Sequence, residues 1–244
     1  MEKPYAKAPI IEAILDFGIE PLPGDSFASL RSMTSGESSV YDDVKDLNQF
    51  KVDVHVDETM SHTVPSRKVL GFICSDGQAK QAYQVRRDGF TYSKLAPYQS
   101  WDSFIGEGKR LWQLYRKNTA PAKITRLAVR FINRLDLPLP LADFKVWLRT
   151  VPEVAPELEQ SLANMLLQYR TREDDIGAWM NFTEAIVQSP TPEICSVVLD
   201  IDLYRDFDVP QSEADIWKLF ETFRLRKNKI FEASITDETR RLFD

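Results

Sequence analysis

Two cysteines and two histidines in 244 residues leave little material for thiol, zinc or serine–histidine chemistry. Cys74 and Cys195 stand far apart inside apolar, strand-like runs, the pattern of two buried thiols in a reducing compartment and not of a disulfide framework or zinc site. His62 falls in a polar loop. Glycine is scarce, with 9 residues, and Gly106-x-Gly108 lies inside a helical pattern without the strand-to-helix context of a phosphate loop, so P-loop and Rossmann nucleotide binding are set aside. No apolar run approaches the roughly 20 residues that cross a bilayer. The opening MEKPYAKAPIIEAILDF has a short apolar stretch cut by acids, unlike a secretory signal. A cytoplasmic protein without membrane contact is the expectation. Basic charge is not in excess: 31 Lys and Arg against 37 Asp and Glu give −6, which argues against non-specific adhesion to nucleic acid or anionic membrane.

What the chain does have is alternation. Over 123–136, KITRLAVRFINRLD, period two puts Arg126, Arg130 and Arg134 on one side of a strand and Leu127, Val129, Phe131 and Leu135 on the other. The apolar row predicts a core. The guanidinium row demands carboxylates, phosphates or water. Residues 9–20 alternate in the same way, with Ala13, Leu15, Phe17 and Ile19 against Glu12 and Asp16. Further strands are predicted at 51–58, 68–75, 81–87 and 90–95, the last two joined at Asp88-Gly89, a hairpin signal. Helical spacing covers 101–118, with a shorter helix over 25–35.

The second half runs a similar programme: a strand at 124–137, a short helix over 141–150, a helical connection over 156–164, three strands at 165–173, 178–188 and 193–204, and a long helix over 212–231 with Ser212 as N-cap. Two short echoes accompany it. Pro-Leu-Pro-x-x-x-Phe occurs at 21–27 and 138–144, and Arg-Lys-Asn closes both long helices at 116–118 and 226–228. The expected fold is α+β: one composite domain over 1–244, made of two β-α-β-β-β-α pseudo-repeats at 1–121 and 122–244. They would form one curved antiparallel sheet with the long helices on one face, a TATA-binding-protein-like saddle by analogy of topology.

Four segments carry a resemblance: Pro9-Ile-Ile-Glu12-Ala13-Ile14; Arg87-Asp-Gly-Phe90 through Ala96-Pro97-Tyr98-x-x-Trp101; Arg126-x-x-x-Arg130-Phe131-Ile132-Asn133-Arg134-Leu135; and Phe231-Glu232-x-x-Ile235-Thr236. Over nearly its whole length the chain resembles a sporadically distributed family of bacterial proteins of similar length. Phe131 departs from it, standing where tyrosine is expected. The resemblance implies no activity, because the family has no established one; its scattered occurrence suggests defence or mobile-element neighbourhoods.

Parity places Glu12, Asp16, Arg126, Arg130, Arg134, Asp136, Arg170, Arg172, Asp200 and Asp202 on the solvent face of the sheet. Opposite charges on adjacent strands can neutralise one another as a lattice. Alternatively, Arg126, Arg130, Arg134, Arg170 and Arg172 bind an anion or a partner wherever guanidiniums outnumber carboxylates. Trp179 shares a face with Asn181 and Thr183 and could anchor a ligand. A divalent metal would find its best candidates in Glu12, Asp16, Asp200 and Asp202; Asp53, His55 and Asp57 form a weaker alternating set. No cofactor is predicted outright. The leading expectation is a non-enzymatic binding protein that recognises a protein partner through the charged face or an edge strand. A metal-dependent phosphoesterase or phosphorylated-ligand binder on the same face is the alternative, and nucleic-acid binding on the saddle is third.

Overall fold

The structure is a computed structural model. It describes residues 5–24, 26–36, 40–56, 61–78, 80–141, 143–153, 155, 157 and 164–243, with backbone alone over 51–66. Most of the helical connection expected at 156–164 and the side chains of Asp53, His55, Asp57 and His62 fall outside this description.

Among the described residues nine strands and four helices follow in the order β1 (Ile10–Ile19), α1 (Phe27–Gly36), β2 (Asp43–Val56), β3 (Ser61–Asp76), β4 (Gln81–Arg86), β5 (Gly89–Leu95), α2 (Trp101–Thr119), β6 (Ile124–Pro138), β7 (Leu166–Glu173), β8 (Ala178–Val187), β9 (Ile194–Arg205), α3 (Glu213–Ser234) and α4 (Asp237–Arg240). The strands form one sheet in the order β2-β3-β4-β5-β1-β6-β9-β8-β7. The α+β class with an antiparallel sheet therefore stands. The structure corrects several local expectations. The strand expected at 68–75 runs over Ser61–Asp76, so the backbone of His62, expected in a polar loop, pairs in β3 opposite His55. The short helix over 141–150 is only a 3-10 turn, Phe144–Val146, started by Asp143, whose side chain accepts from the Lys145 N–H. The strand expected at 51–58 begins at Asp43, because residues 43–50 pair with β3 despite their polar composition. The helix α4 was not expected; Thr236 caps it by accepting from the Thr239 N–H.

By contact density the chain divides into two compact units, one of Met1–Leu15, Lys94–Ser100 and Arg126–Asp244, the other of Asp16–Ser93 and Trp101–Thr125. In the second unit, α2 lays an aromatic stack on the core side of its strands. Trp112 lies against Phe17 at 3.9 Å between ring centroids, with Phe90 and Tyr115 at 6.0 and 5.5 Å from it. Gly89 is required there because a Cβ would run into the backbone carbonyl of Phe17.

In the first unit the core is built by β6, β9, β8 and α3. Leu127, Val129, Phe131 and Leu135 are buried, as are Leu199, Ile201 and Leu203, and α3 buries Ile216, Phe220, Phe223 and Phe231. Ser212 accepts from the Asp215 N–H, as its N-cap position predicts. No described helix is long and apolar enough to cross a membrane.

Candidate functional site

The outer face of β6, β9, β8 and β7 collects the charged residues of the first unit, because alternation sends their neighbours into the core. β6 pairs antiparallel with β9, Arg130 opposite Asp202 and Ile132 opposite Asp200. Arg130 reaches diagonally to Asp200 in a two-pronged pair, Nε to Oδ1 at 2.8 Å and Nη2 to Oδ2 at 2.5 Å. That pair, supported by the more distant charges of Asp202 and Glu12, raises the Arg130 pKa. Arg126 lies 3.6 Å from Asp202, and Asn181 donates to the same carboxylate at 3.2 Å. Burial pushes the Asp202 carboxyl upward, against the pull of Arg126 and Asn181. Arg134 pairs with Asp136 at 3.1 Å, and Ser196 donates its hydroxyl to Asp136 at 2.6 Å. Arg172 meets Asp174 at 2.8 Å.

Arg170 differs from the other four. Its guanidinium lies 4.1 Å over the ring of Trp179 and 5.4 Å from that of Tyr204, and among the described residues it meets no carboxylate. Arg126 approaches Tyr204 at 4.8 Å, and Arg172 lies over Trp179 and Phe207 at 5.4 and 5.3 Å. Guanidiniums and rings thus alternate along the face as Arg126, Tyr204, Arg170, Trp179, Arg172 and Phe207, each contact favoured by the ring quadrupole. An open concavity of about 530 Å³ borders this row, lined by Arg130, Gln168, Tyr169, Arg170, Asn181, Thr183, Asp200 and Asp202.

The four carboxylates considered for a metal have these surroundings. Asp200 and Asp202 face the arginines just described, and Glu12 contributes to the field at Arg130. Asp16 accepts from Thr91 Oγ1 at 2.7 Å and from Arg86 Nη2 at 3.2 Å, within the other unit. Among the described residues no group of three His, Cys, Asp or Glu side chains could hold a metal ion.

Reasoning from sequence missed Tyr204, Gln168 and Phe207 on this face. Tyr204 was legible, since it shares the parity of Asp200 and Asp202 on β9; Gln168 likewise shares the parity of Arg170. Phe207 lies beyond the strand, where parity says nothing. Also missed was Glu184, whose parity matches Met180 and Phe182 and so places a carboxylate in the core.

No protein-family model matches the chain, and a search of curated proteins returns no match.

Proposed function

We propose that the chain is a non-enzymatic binding protein whose partner, itself a protein, docks on the outer face of β6, β9, β8 and β7. The observation that carries this reading is Arg170, an exposed guanidinium with no carboxylate among the described residues, stacked over Trp179 beside an open concavity. A cation already held on an aromatic ring loses little side-chain freedom on binding, and aromatic and arginine side chains are the groups that dominate partner recognition. The neighbouring Arg126, Arg130 and Arg172 are each held by a carboxylate, so Arg170 is the arginine of the set left to meet an acid from a partner. A cytoplasmic setting, supported by two cysteines that form no disulfide, and a bacterial defence or mobile-element setting, supported by the sequence resemblance alone, belong to the same proposal. So does an internal duplication, supported by the sheet order: outward from β1 run β5, β4, β3 and β2, and outward from β6 run β9, β8 and β7.

The test is Arg170→Gln. Proteins cross-linked to the wild-type chain in its host and identified by mass spectrometry should be lost from the variant, while the melting temperature stays within about 2 °C, as expected of an exposed side chain. A partner captured equally by both proteins ends the assignment of this face.

A further inference from the structure

β7 closes the sheet order, so one of its two long edges carries no other strand among the described residues. Its register shows which groups lie on that edge. β7 pairs antiparallel with β8, Leu166 opposite Ala185 through Glu173 opposite Ala178, and the Ile186 N–H donates to the Met165 carbonyl at 3.0 Å one step before that ladder. In an antiparallel pair, residues that exchange hydrogen bonds alternate with residues whose N–H and C=O point away. The odd-numbered residues of β7 therefore bond to β8, and Leu166, Gln168, Arg170 and Arg172 turn their backbone groups to the open edge.

The same four residues send their side chains to the outer face, where Gln168 donates to Thr183 at 3.2 Å and Arg170 stacks on Trp179. All four are exposed. Arg170 thus offers a newcomer both its backbone pair and a guanidinium that meets no carboxylate among the described residues. A strand added here would place one residue opposite Arg170 in a hydrogen-bonded pair, its side chain on the same face and within reach. Arginines on an edge repel ordinary strands and admit one that carries acid, a selection by charge complementarity.

We propose that β7 receives an extended acidic segment of a protein partner as an added strand, with a carboxylate opposite Arg170. This rests on the reading of the outer face as a partner-binding surface. Main-chain bonds to Leu166, Gln168, Arg170 and Arg172 supply affinity and register, and the acid opposite Arg170 supplies specificity. Intervening residues of the segment lie beside Tyr169 and Thr171 on the other face.

The probe is a fluorescein-labelled octapeptide of alternating valine and aspartate, followed by anisotropy with the full chain. It should bind with an affinity that falls as salt rises, and alternating valine and lysine should not bind. Arg170→Gln should weaken the valine–aspartate peptide about tenfold, the effect of one charge-assisted pair. N-methylation of the aspartate amides, which would face β7, should abolish binding, whereas N-methylation of the valine amides should leave it. If both methylated peptides bind alike yet Arg170→Gln still weakens them, strand addition is overturned and the face reading survives. Absence of valine–aspartate binding, equal binding of the lysine peptide, or indifference to Arg170→Gln overturns the inference; the cross-linking experiment judges the broader reading separately.

Discussion

Glu184 lies on the core side of β8 at 0% exposure, between Leu167 of β7 and Leu199 of β9, and neither carboxylate oxygen has a hydrogen-bond partner among the described residues. A buried carboxylate without donors is costly when ionised, so burial alone drives its pKa up to about 7. Its charge joins burial in pushing up the Tyr169 phenol. The sign of the consequence is definite. Between the unfolded carboxyl value of 4.5 and the folded value of about 7 the folded chain holds a proton that the unfolded chain has released. Stability from this group therefore falls as pH rises through that window and stays low above it. Glu184→Met, similar in length and without charge, should raise stability at pH 8 by roughly 2–3 kcal/mol, with the gap closing toward pH 5. Urea denaturation of both proteins at the two pH values measures it. Equal stabilities at pH 8 would show that Glu184 is not held uncompensated.

β7 runs into a short turn, Asp174–Ile176, which α3 ties down through Arg226, paired with both Glu173 and Asp175. Arg205 of β9 reaches the same turn, donating from Nε to the Gly177 carbonyl at 2.6 Å, and Gly177 adopts φ +57°, a conformation that suits glycine. Two arginines thus fix the end of the proposed docking strand against the body of its unit. Arg226→Ala would leave Glu173 largely buried without its counter-charge, at a cost of roughly 1–3 kcal/mol. The loss should be local, read as faster amide hydrogen exchange over residues 173–177 with core protection in β9 retained. Unchanged protection in that turn would mean that Arg226 does not hold it. The 3-10 turn at Phe144–Val146 shows what short-range reading misses. Residues 141–150 carry helix-compatible spacing, yet the backbone there is claimed by distant partners: Arg149 donates to Ser234, and Thr236 donates to Trp147. Tertiary hydrogen bonds outweigh weak local propensity.

Neither compact unit is a continuous piece of chain. One takes residues 1–15 and 94–100 from the first half of the sequence together with 126–244 from the second, and the other uses 16–93 and 101–125. Strand β1 itself changes unit between Leu15 and Asp16. A fragment of residues 122–244 is therefore expected to lack the cooperative thermal transition of the full chain by circular dichroism, since it carries β6 and β9 without residues 1–15 and 94–100 of their own unit, where Pro9 accepts from the Arg134 N–H and Lys7 donates to the Phe243 carbonyl. A sharp transition in the fragment would show that the second half folds alone.

Sequence alone determined the faces. Period-two patterning on β1, β6, β8 and β9 sorts core from surface, because side-chain direction along a strand is a property of the backbone. It determined the class of fold and gathered the arginines onto one side. Only the tertiary structure decided which of them are neutralised, because their partners come from elsewhere in the chain: Asp200 lies 70 residues from Arg130, and the pairing runs diagonally across the ladder. Strand order likewise lay beyond local pattern. It left β7 at the edge and Arg170 on an aromatic shelf, since register and neighbourhood are set by long-range packing and not by the sequence of any single strand.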